Sequence, residues 1–104
     1  MNKNENVVLT EAVFYILLAL YSPLHGYGIM QETERMTGGR LKLSAGTLYG
    51  AISTMLEKNW IEAVSSDEES RRKEYRITGL GKVVVKTELV RLEELVDNGK
   101  KRIE

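Results

Sequence analysis

Two short segments of the chain carry side chains that suit contact with phosphate groups. The first, residues 44–54, combines hydroxyl groups with glycines, and the first acidic residue after it is Glu57. The second is an uninterrupted basic triplet of Arg71, Arg72 and Lys73. Hydroxyls bond phosphate oxygens or base edges, glycines allow close approach, and basic side chains neutralise phosphate charge. The two segments together predict binding to double-stranded DNA.

Catalytic chemistry has few candidate residues in this chain. The sequence contains one histidine, His25, and no cysteine, which excludes thiol chemistry and histidine-based metal sites. Acidic pairs such as Glu68–Glu69 are adjacent in polar segments, so we interpret them as solvated side chains rather than an acid/base couple. The glycines are dispersed and form no phosphate-cradling loop. We therefore expect no enzymatic activity, no metal and no cofactor.

The total charge of the chain is balanced, although DNA-binding proteins are usually basic. Fifteen basic and fifteen acidic residues give a net charge of zero. Between Arg40 and Lys58, however, three basic residues stand against one acidic residue, and the basic triplet follows. Because phosphate attraction acts within about a Debye length, the local excess matters more than the total. We expect DNA binding with modest non-specific affinity.

The composition indicates a cytoplasmic globular protein with one modest core. The chain has 104 residues, of which 42% are hydrophobic and 29% charged, as is typical of soluble domains. The N-terminus lacks the pattern of a signal peptide, and the longest apolar run, Ala12–Tyr21, is about half of what spans a bilayer. The absence of cysteine fits a reducing compartment. We therefore expect no association with a membrane.

Capping residues, glycines and the single proline divide the chain into segments of helical or strand periodicity. The segments are, in order, a helix over Leu9–Tyr21, a helix between the turn His25–Gly28 and Gly38–Gly39, a strand at Leu41–Leu43, a helix over Ser44–Lys58, a hairpin of Ile61–Ser65 and Lys73–Ile77, and a helix from Thr78 to about Gly99 or beyond. This order predicts an α+β, mainly α fold, namely a winged helix-turn-helix with a C-terminal dimerisation helix. We expect a DNA-binding domain at residues 1–78 and the dimerisation helix at residues 79–104.

The third predicted helix has a polar face opposite its apolar stripe. Leu48, Ile52 and Met55 recur at helical spacing and are expected to face the core. The opposite face is formed by Gly46, Thr47, Tyr49, Gly50, Ser53 and Thr54. A helix that enters a major groove about 12 Å wide needs such a surface near its N-terminus. The alternative is that these are ordinary surface residues, although an exposed helical glycine costs about 1 kcal/mol relative to alanine.

The basic triplet begins the second strand of the predicted hairpin. Because side chains alternate along a strand, Arg71 and Lys73 lie on the face of Tyr75, and Arg72 lies on the opposite face. In a winged fold this strand contacts a phosphate strand or the minor groove, where basic residues contribute affinity more than sequence preference. The alternative is a solvated edge strand that is protected by its charge.

The last predicted helix carries more apolar surface than one side of a small domain covers. Aliphatic residues recur along it at intervals of four, three and four, a seam typical of helix pairing. These seam residues are Val85, Leu89, Leu92 and Val96. Phe14 and Leu18 on the first helix offer a second apolar face. We predict a two-fold homodimer, which places two groove-reading helices about one DNA turn apart; packing of the last helix on the first helix of its own chain is a compatible alternative.

The chain contains six short motifs in a recognisable order and spacing. They are His25–Met30, Thr37–Gly39, Leu43–Tyr49, Trp60–Glu62, Arg71–Thr78 and Gly81. On these motifs, which extend over nearly the whole chain, the sequence resembles the PadR-like family of bacterial transcriptional regulators. The resemblance implies a repressor that binds a palindromic operator as a homodimer and is released by a small-molecule inducer. The alternative is a winged-helix protein-interaction module that does not bind DNA.

The resemblance also implies which residues contact DNA. Ser44, Gly46, Thr47 and Tyr49 would meet the major groove, joined by Ser53 on the same helix face; Arg71, Arg72 and Lys73 would serve the wing; and His25 and Tyr27 would lie near the DNA backbone. Some family members hold flat aromatic compounds between tryptophans of their terminal helices. The only tryptophan here is Trp60, which we expect in the core, and the equivalent terminal position falls near Leu92. An aliphatic pocket at the dimer interface is the alternative site for an inducer.

Overall fold

The computed structural model describes residues 7–64 and 73–104, and its elements form a winged helix-turn-helix. The helices are α1 (Glu11–Ala19), α2 (Gly26–Met36), α3 (Ala45–Glu57) and α4 (Gly79–Ile103). The strands are β1 (Leu24–His25), β2 (Ile61–Val64) and β3 (Glu74–Ile77). Strand β3 lies in the centre of the sheet and pairs antiparallel with both neighbours. The predicted fold class, an α+β and mainly α winged helix-turn-helix, is confirmed.

Three helices begin where their capping residues predict, and α2 and α3 also end where the sequence predicts. The hydroxyls of Thr10, Ser44 and Thr78 each accept a hydrogen bond from the backbone N–H three residues further on, at 3.0–3.2 Å. After α2, Gly38 and Gly39 have φ values of 61° and 88°, and after α3 Asn59 has a φ of 62°. These left-handed residues stop the helices, because they turn the chain out of the helical path.

Two local predictions around α2 are wrong. Leu41–Leu43 forms no strand; the additional strand is β1, which lies before α2 and pairs with the edge of β3 that β2 leaves open. The segment His25–Gly28 is not a turn, because α2 begins at Gly26. His25 is the cap of this helix, and its Nδ1 accepts a hydrogen bond of 3.2 Å from the N–H of Gly28. The extended backbone that leads to this cap is what pairs with β3.

The core lies between the first three helices and the sheet, and the first half of α4 covers it. The fully buried side chains are Ile16, Leu17, Leu20, Ile29, Leu48, Met55, Ile61 and Thr33. Trp60 is also buried, as its place in the sequence predicts. Helix α4 approaches the start of β2 closely at Gly81, where an added Cβ would lie 2.2 Å from the carbonyl oxygen of Trp60.

Helix α4 consists of two parts with different surroundings. In the first part, Val85 and Glu88 are buried against their own chain, and the Glu88 carboxylate accepts a hydrogen bond of 3.2 Å from the N–H of Leu9. Arg91 donates two further hydrogen bonds to this carboxylate, at 2.6 and 2.7 Å. In the second part, residues 93–104, every side chain is exposed. The first part therefore packs on the rest of the chain, and we call residues 93–104 the distal arm.

Candidate nucleic-acid interface

The face of α3 that the sequence assigns to DNA is exposed. Its exposed residues are Ser44, Gly46, Thr47, Tyr49, Gly50, Ser53 and Thr54, whereas Leu48, Ile52 and Met55 are buried. An added Cβ at Gly46 or Gly50 would meet no atom within 4 Å. Packing within the chain therefore does not require glycine at either position. The face is smooth, polar and uncharged at the N-terminal end of the helix, where N–H groups attract phosphate.

Tyr49 connects this face to the start of α2. Half of its surface is exposed, and its ring lies against the buried Gly26, where an added Cβ would come within 2.1 Å of Tyr49 Oη. Burial raises the pKa of the Tyr75 hydroxyl, and an electrostatic interaction with Tyr49 adds to this shift. Tyr49 thus lies where α3, α2 and β3 meet.

The first turn of α2 lies beside α3 through this contact. His25, which caps the helix, is half-buried, and Tyr27 in the first turn is exposed. Gly26 stands between them in the chain and touches Tyr49. The structure therefore places Tyr49 of α3 against the backbone between His25 and Tyr27, which belong to a separate sequence motif.

The described part of the wing, which consists of Lys73 and strands β2 and β3, has one buried face and one exposed face. Tyr75 and Ile77 are buried, whereas Arg76 is exposed and donates a hydrogen bond of 2.7 Å to Glu62 on β2. Lys73 is exposed immediately before β3. The other two predicted wing residues, Arg71 and Arg72, lie outside the described residues.

Some of the positive charge counted in the sequence is neutralised inside the chain. Arg40 forms an ion pair and a hydrogen bond with Glu11, which hold the pKa of that carboxyl below its usual range. Arg76 forms an ion pair with Glu62 on the sheet. The local excess of positive charge is therefore smaller than the sequence count indicates. This fits the expectation of modest non-specific affinity for DNA.

The model of the transcriptional regulator PadR-like family matches residues 15–87. The chain belongs to the PadR-like family. Members of this family are DNA-binding transcriptional regulators and not enzymes, which confirms both predictions at this level. Among residues 7–64 and 73–104, no group of acidic or histidine side chains is placed to hold a metal ion. In the same ranges no helix has the length and apolarity that crossing a membrane requires.

Similar proteins cover most of this PadR-like chain. A Lysinibacillus sphaericus protein, described as uncharacterized protein X, is 35% identical over 86 residues, which are 77% of this chain and 78% of its own. The crystal structure of a PadR family transcription regulator from Clostridium difficile has a TM-score of 0.77 at 23% identity and covers 91% of this chain and 100% of its own. Bordetella bronchiseptica BpsR, whose DNA binding is regulated by 6-hydroxynicotinic acid, has a TM-score of 0.67 at 19% identity, with 86% and 64% covered. The two structures share the fold of this chain.

The residues predicted for the dimer interface of this PadR-like protein have different surroundings. Val85 is buried in its own chain, Phe14, Leu18 and Leu92 are half-buried, and Leu89 and Val96 are exposed. The first part of α4 packs on α1, which is the intrachain arrangement left open by the sequence. A groove between these helices is lined by Leu9, Thr10, Glu11, Phe14, Tyr15, Glu88 and Leu92. The exposed part of the predicted seam continues beyond this groove into the distal arm.

Two residues of structural weight, Gly26 and Glu88, were not among the predicted site residues. The Tyr49 ring packs against Gly26, and the Glu88 carboxylate accepts a hydrogen bond from the backbone N–H of Leu9. The sequence gives no signal for Gly26, because the turn predicted at His25–Gly28 already accounts for its glycines. Glu88 gives no signal either, because its partner Leu9 lies 79 residues away in the chain.

Proposed function

We propose that this protein is a ligand-responsive repressor that binds a palindromic operator as a homodimer, with α3 in the major groove. The observation that carries the proposal is the pair of glycines on the exposed face of α3. Alanine at Gly46 or Gly50 would meet no atom of the chain and would favour the helix by about 1 kcal/mol. A partner that approaches the backbone of α3 closely accounts for glycine at both positions.

The remaining contacts follow from the arrangement around α3. Ser44, Gly46, Thr47, Tyr49 and Ser53 face the groove; His25 and Tyr27 lie along a phosphate strand; and Lys73, with Arg71 and Arg72, serves the wing. Hydroxyl groups donate to phosphate oxygens or base edges, and cations at the wing add affinity for any sequence. The local charge is low for a DNA-binding protein, so sequence preference rests on α3.

Residues 79–104 form the dimerisation element in this proposal, and residues 1–78 form the DNA-binding domain. The distal arm exposes Leu95, Val96 and Ile103 to solvent beyond its own domain. The groove between α1 and α4 offers Leu9, Phe14 and Leu92 as an apolar surface. In a two-fold dimer, the arm of each chain covers the groove of the other, because both surfaces lose water on contact.

A small-molecule inducer fits the same region of the molecule. A compound that enters the groove between α1 and α4 competes with the arm for Phe14 and Leu92 and shifts the spacing of the two α3 helices. BpsR, a protein of similar fold, is regulated by 6-hydroxynicotinic acid, which supports regulation of DNA binding by a small organic molecule. The groove holds no tryptophan, so an aromatic sandwich is not part of the proposal.

The test is selection of bound sequences from a pool of random duplexes, followed by binding measurements over a range of salt concentrations. We expect an inverted repeat whose half-sites are about 10 base pairs apart, and affinity that falls as salt rises. Absence of binding to any duplex at low salt would contradict the proposal and favour the winged-helix protein-interaction module.

A variant pair makes this test specific to α3. Thr47→Glu places a negative charge on the groove face, yet completes a capping box with Ser44, so the helix is retained. We expect at least about tenfold weaker DNA binding, because the carboxylate repels phosphates. The matched control is Thr87→Glu on the exposed surface of α4, which should bind DNA as the wild type does.

A further inference from the structure

The contact between Tyr49 and Gly26 is closer than any other residue at position 26 allows. An added Cβ would lie 2.1 Å from Tyr49 Oη and 2.8 Å from Cζ, so the ring rests directly on the backbone of α2. Gly26 has no positive φ, and it is the first residue of the helix. Its backbone conformation therefore does not require glycine. Glycine is required because the ring of Tyr49 occupies the space of a Cβ.

The same contact lies at the junction of the DNA-facing elements. Gly26 directly follows β1, in which Leu24 pairs with Tyr75 of β3. Tyr75 interacts electrostatically with Tyr49. One aromatic ring on α3 therefore touches the start of α2 and lies near the central strand of the wing. Half of the ring surface is used within the chain, and half is exposed.

We infer that Tyr49 is a positioning residue whose ring, seated on Gly26, fixes the recognition helix α3 relative to the first turn of α2 and so sets the affinity for specific DNA. This inference rests on the proposed function, because it concerns how α3 is presented to the groove. Hydrogen bonds to base edges depend on distance and angle, so a tilt of α3 weakens recognition without unfolding the domain. Gly26 acts only through Tyr49.

The double-mutant cycle of Gly26→Ala and Tyr49→Ala tests this inference. The probe is the duplex that the wild-type protein selects from a random pool, with an unrelated duplex as the non-specific probe. We expect each single variant to bind the selected duplex at least about tenfold more weakly, and the double variant to bind about as weakly as Tyr49→Ala alone. Independent effects, with losses that multiply to about a hundredfold, would overturn the inference.

Stability and specificity are read separately. In Gly26→Ala the clash falls on the far end of a movable side chain, so the ring swings away and the melting temperature should stay within a few degrees. The ratio of specific to non-specific affinity should fall, which a loss of stability alone does not produce. Gly28→Ala is the matched control, because an added Cβ there meets only Leu24 Cδ2 at 3.3 Å and the His25 ring beyond 3.5 Å. If it weakens binding as much as Gly26→Ala, the inference is wrong.

Two further measurements separate positioning from direct contact. Tyr49→Phe keeps the ring on Gly26 and should recover most of the affinity that Tyr49→Ala loses; a Tyr49→Phe variant that binds as weakly as Tyr49→Ala would show that the hydroxyl, and not the position of the ring, carries the effect, and would overturn the inference. Selection repeated with Tyr49→Ala should weaken the preference at every position of the site. Loss of preference at a single base pair would identify a direct base contact and overturn the inference. If the wild-type protein selects no duplex, the proposed function is refuted. If the wild type binds its selected duplex and Gly26→Ala and Tyr49→Ala bind it equally well, only this inference is refuted.

Discussion

The exposed faces of α3 and of the distal arm of α4 are both uncovered in the single chain, but they differ in chemistry. The face of α3 presents glycines and hydroxyls with no charged side chain before Glu57. The arm presents Leu95, Val96 and Ile103 between charged residues. A polar, smooth face suits a hydrated and highly charged groove, whereas aliphatic side chains gain about 25 cal/mol per Å² when they leave water. The difference indicates that the two helices serve different kinds of partner.

The glycines extend this comparison to the interior of the chain. At Gly26 and at Gly81, an added Cβ would lie less than 2.5 Å from an atom of another residue, so the fold itself requires glycine at both positions. Gly46, Gly50 and Gly99 face open space. Glycine on an exposed helix surface is costly. A glycine that the fold does not use therefore marks a surface on which a partner approaches, or a position without constraint, and a substitution distinguishes the two cases.

The largest expected effect concerns the arm. Val96→Asp places a carboxylate on the face that we propose to be buried by the partner, and burial of an unpaired charge costs several kcal/mol. We expect dimer formation to weaken by about a hundredfold or more, measured by sedimentation equilibrium. Val90→Asp is the matched control, since Val90 is also exposed on α4 but points to another side of the helix.

The control decides which face of α4 is the interface. Dimer formation should change by less than about threefold in Val90→Asp. If Val90→Asp dissociates the dimer and Val96→Asp does not, the interface lies on the opposite side of α4. The exposed aliphatic face of the distal arm would then not be a partner surface.

The next effect concerns the two exposed glycines of α3. Gly46→Ala and Gly50→Ala should each raise the free energy of unfolding by about 1 kcal/mol, because alanine favours the helix and meets no neighbour. DNA affinity should nevertheless fall by about tenfold in each variant, since a methyl group keeps the α3 backbone away from the groove. Thermal unfolding and duplex binding measure the two quantities on the same samples.

Gly79→Ala provides the comparison outside α3. It should leave DNA binding unchanged, because Gly79 is the first residue of α4, lies outside both the α3 face and the distal arm, and faces open space. More stable α3 variants that bind DNA as well as the wild type would show that Gly46 and Gly50 are not constrained by a partner.

A smaller effect separates the two parts of α4. Glu88 is only 2% exposed, and its pKa lies below its usual range, first because Arg91 donates hydrogen bonds to it. Glu88→Gln removes the charge, and hydrogen bonds to charged groups contribute roughly 1.5–3 kcal/mol. We expect the free energy of unfolding to fall by about 1–2 kcal/mol at neutral pH, because the Leu9 contact is retained. Urea unfolding at fixed protein concentration measures it.

The pH dependence of this loss has a defined sign. A carboxyl whose pKa is lowered by folding adds stability above its unfolded pKa of about 4.3, and this contribution disappears as the pH falls through the lowered pKa. The wild type should therefore lose its advantage over Glu88→Gln below about pH 4. Glu94→Gln on the exposed arm should show neither effect. An equal loss in both variants would mean that the first part of α4 is not fixed by Glu88.

Local features of the sequence predict most of this fold. Thr10, Ser44 and Thr78 begin their helices through bonds to residues three positions away, and Asn59 ends α3 through its own backbone angle. Strand β1 escaped prediction because its two residues are defined only by pairing with β3, far along the chain. A dipeptide has no periodicity to detect.

The candidate site divides in the same way. The exposed face of α3 follows from helical spacing around Leu48 and Ile52, so the sequence suffices to find it. The packing of Tyr49 on Gly26 and the hydrogen bond from Leu9 to Glu88 depend on the tertiary arrangement of the helices, which the sequence does not show. Ion pairs such as Arg40 with Glu11 likewise reduce a charge excess that the sequence counts in full.

The smallest expected effect compares two basic residues of the wing strand. Lys73 is exposed before β3, whereas Arg76 is held by Glu62. Lys73→Ala should reduce the slope of log affinity against log salt by about one, because one phosphate contact is lost. Arg76→Ala should leave the slope unchanged and cost at most about 1 kcal/mol of stability, as expected for an exposed ion pair. The measurement is binding to a generic duplex at several salt concentrations. A slope for Lys73→Ala that stays at the wild-type value would mean that Lys73 makes no phosphate contact, which would leave Arg71 and Arg72 as the contacts that the wing supplies.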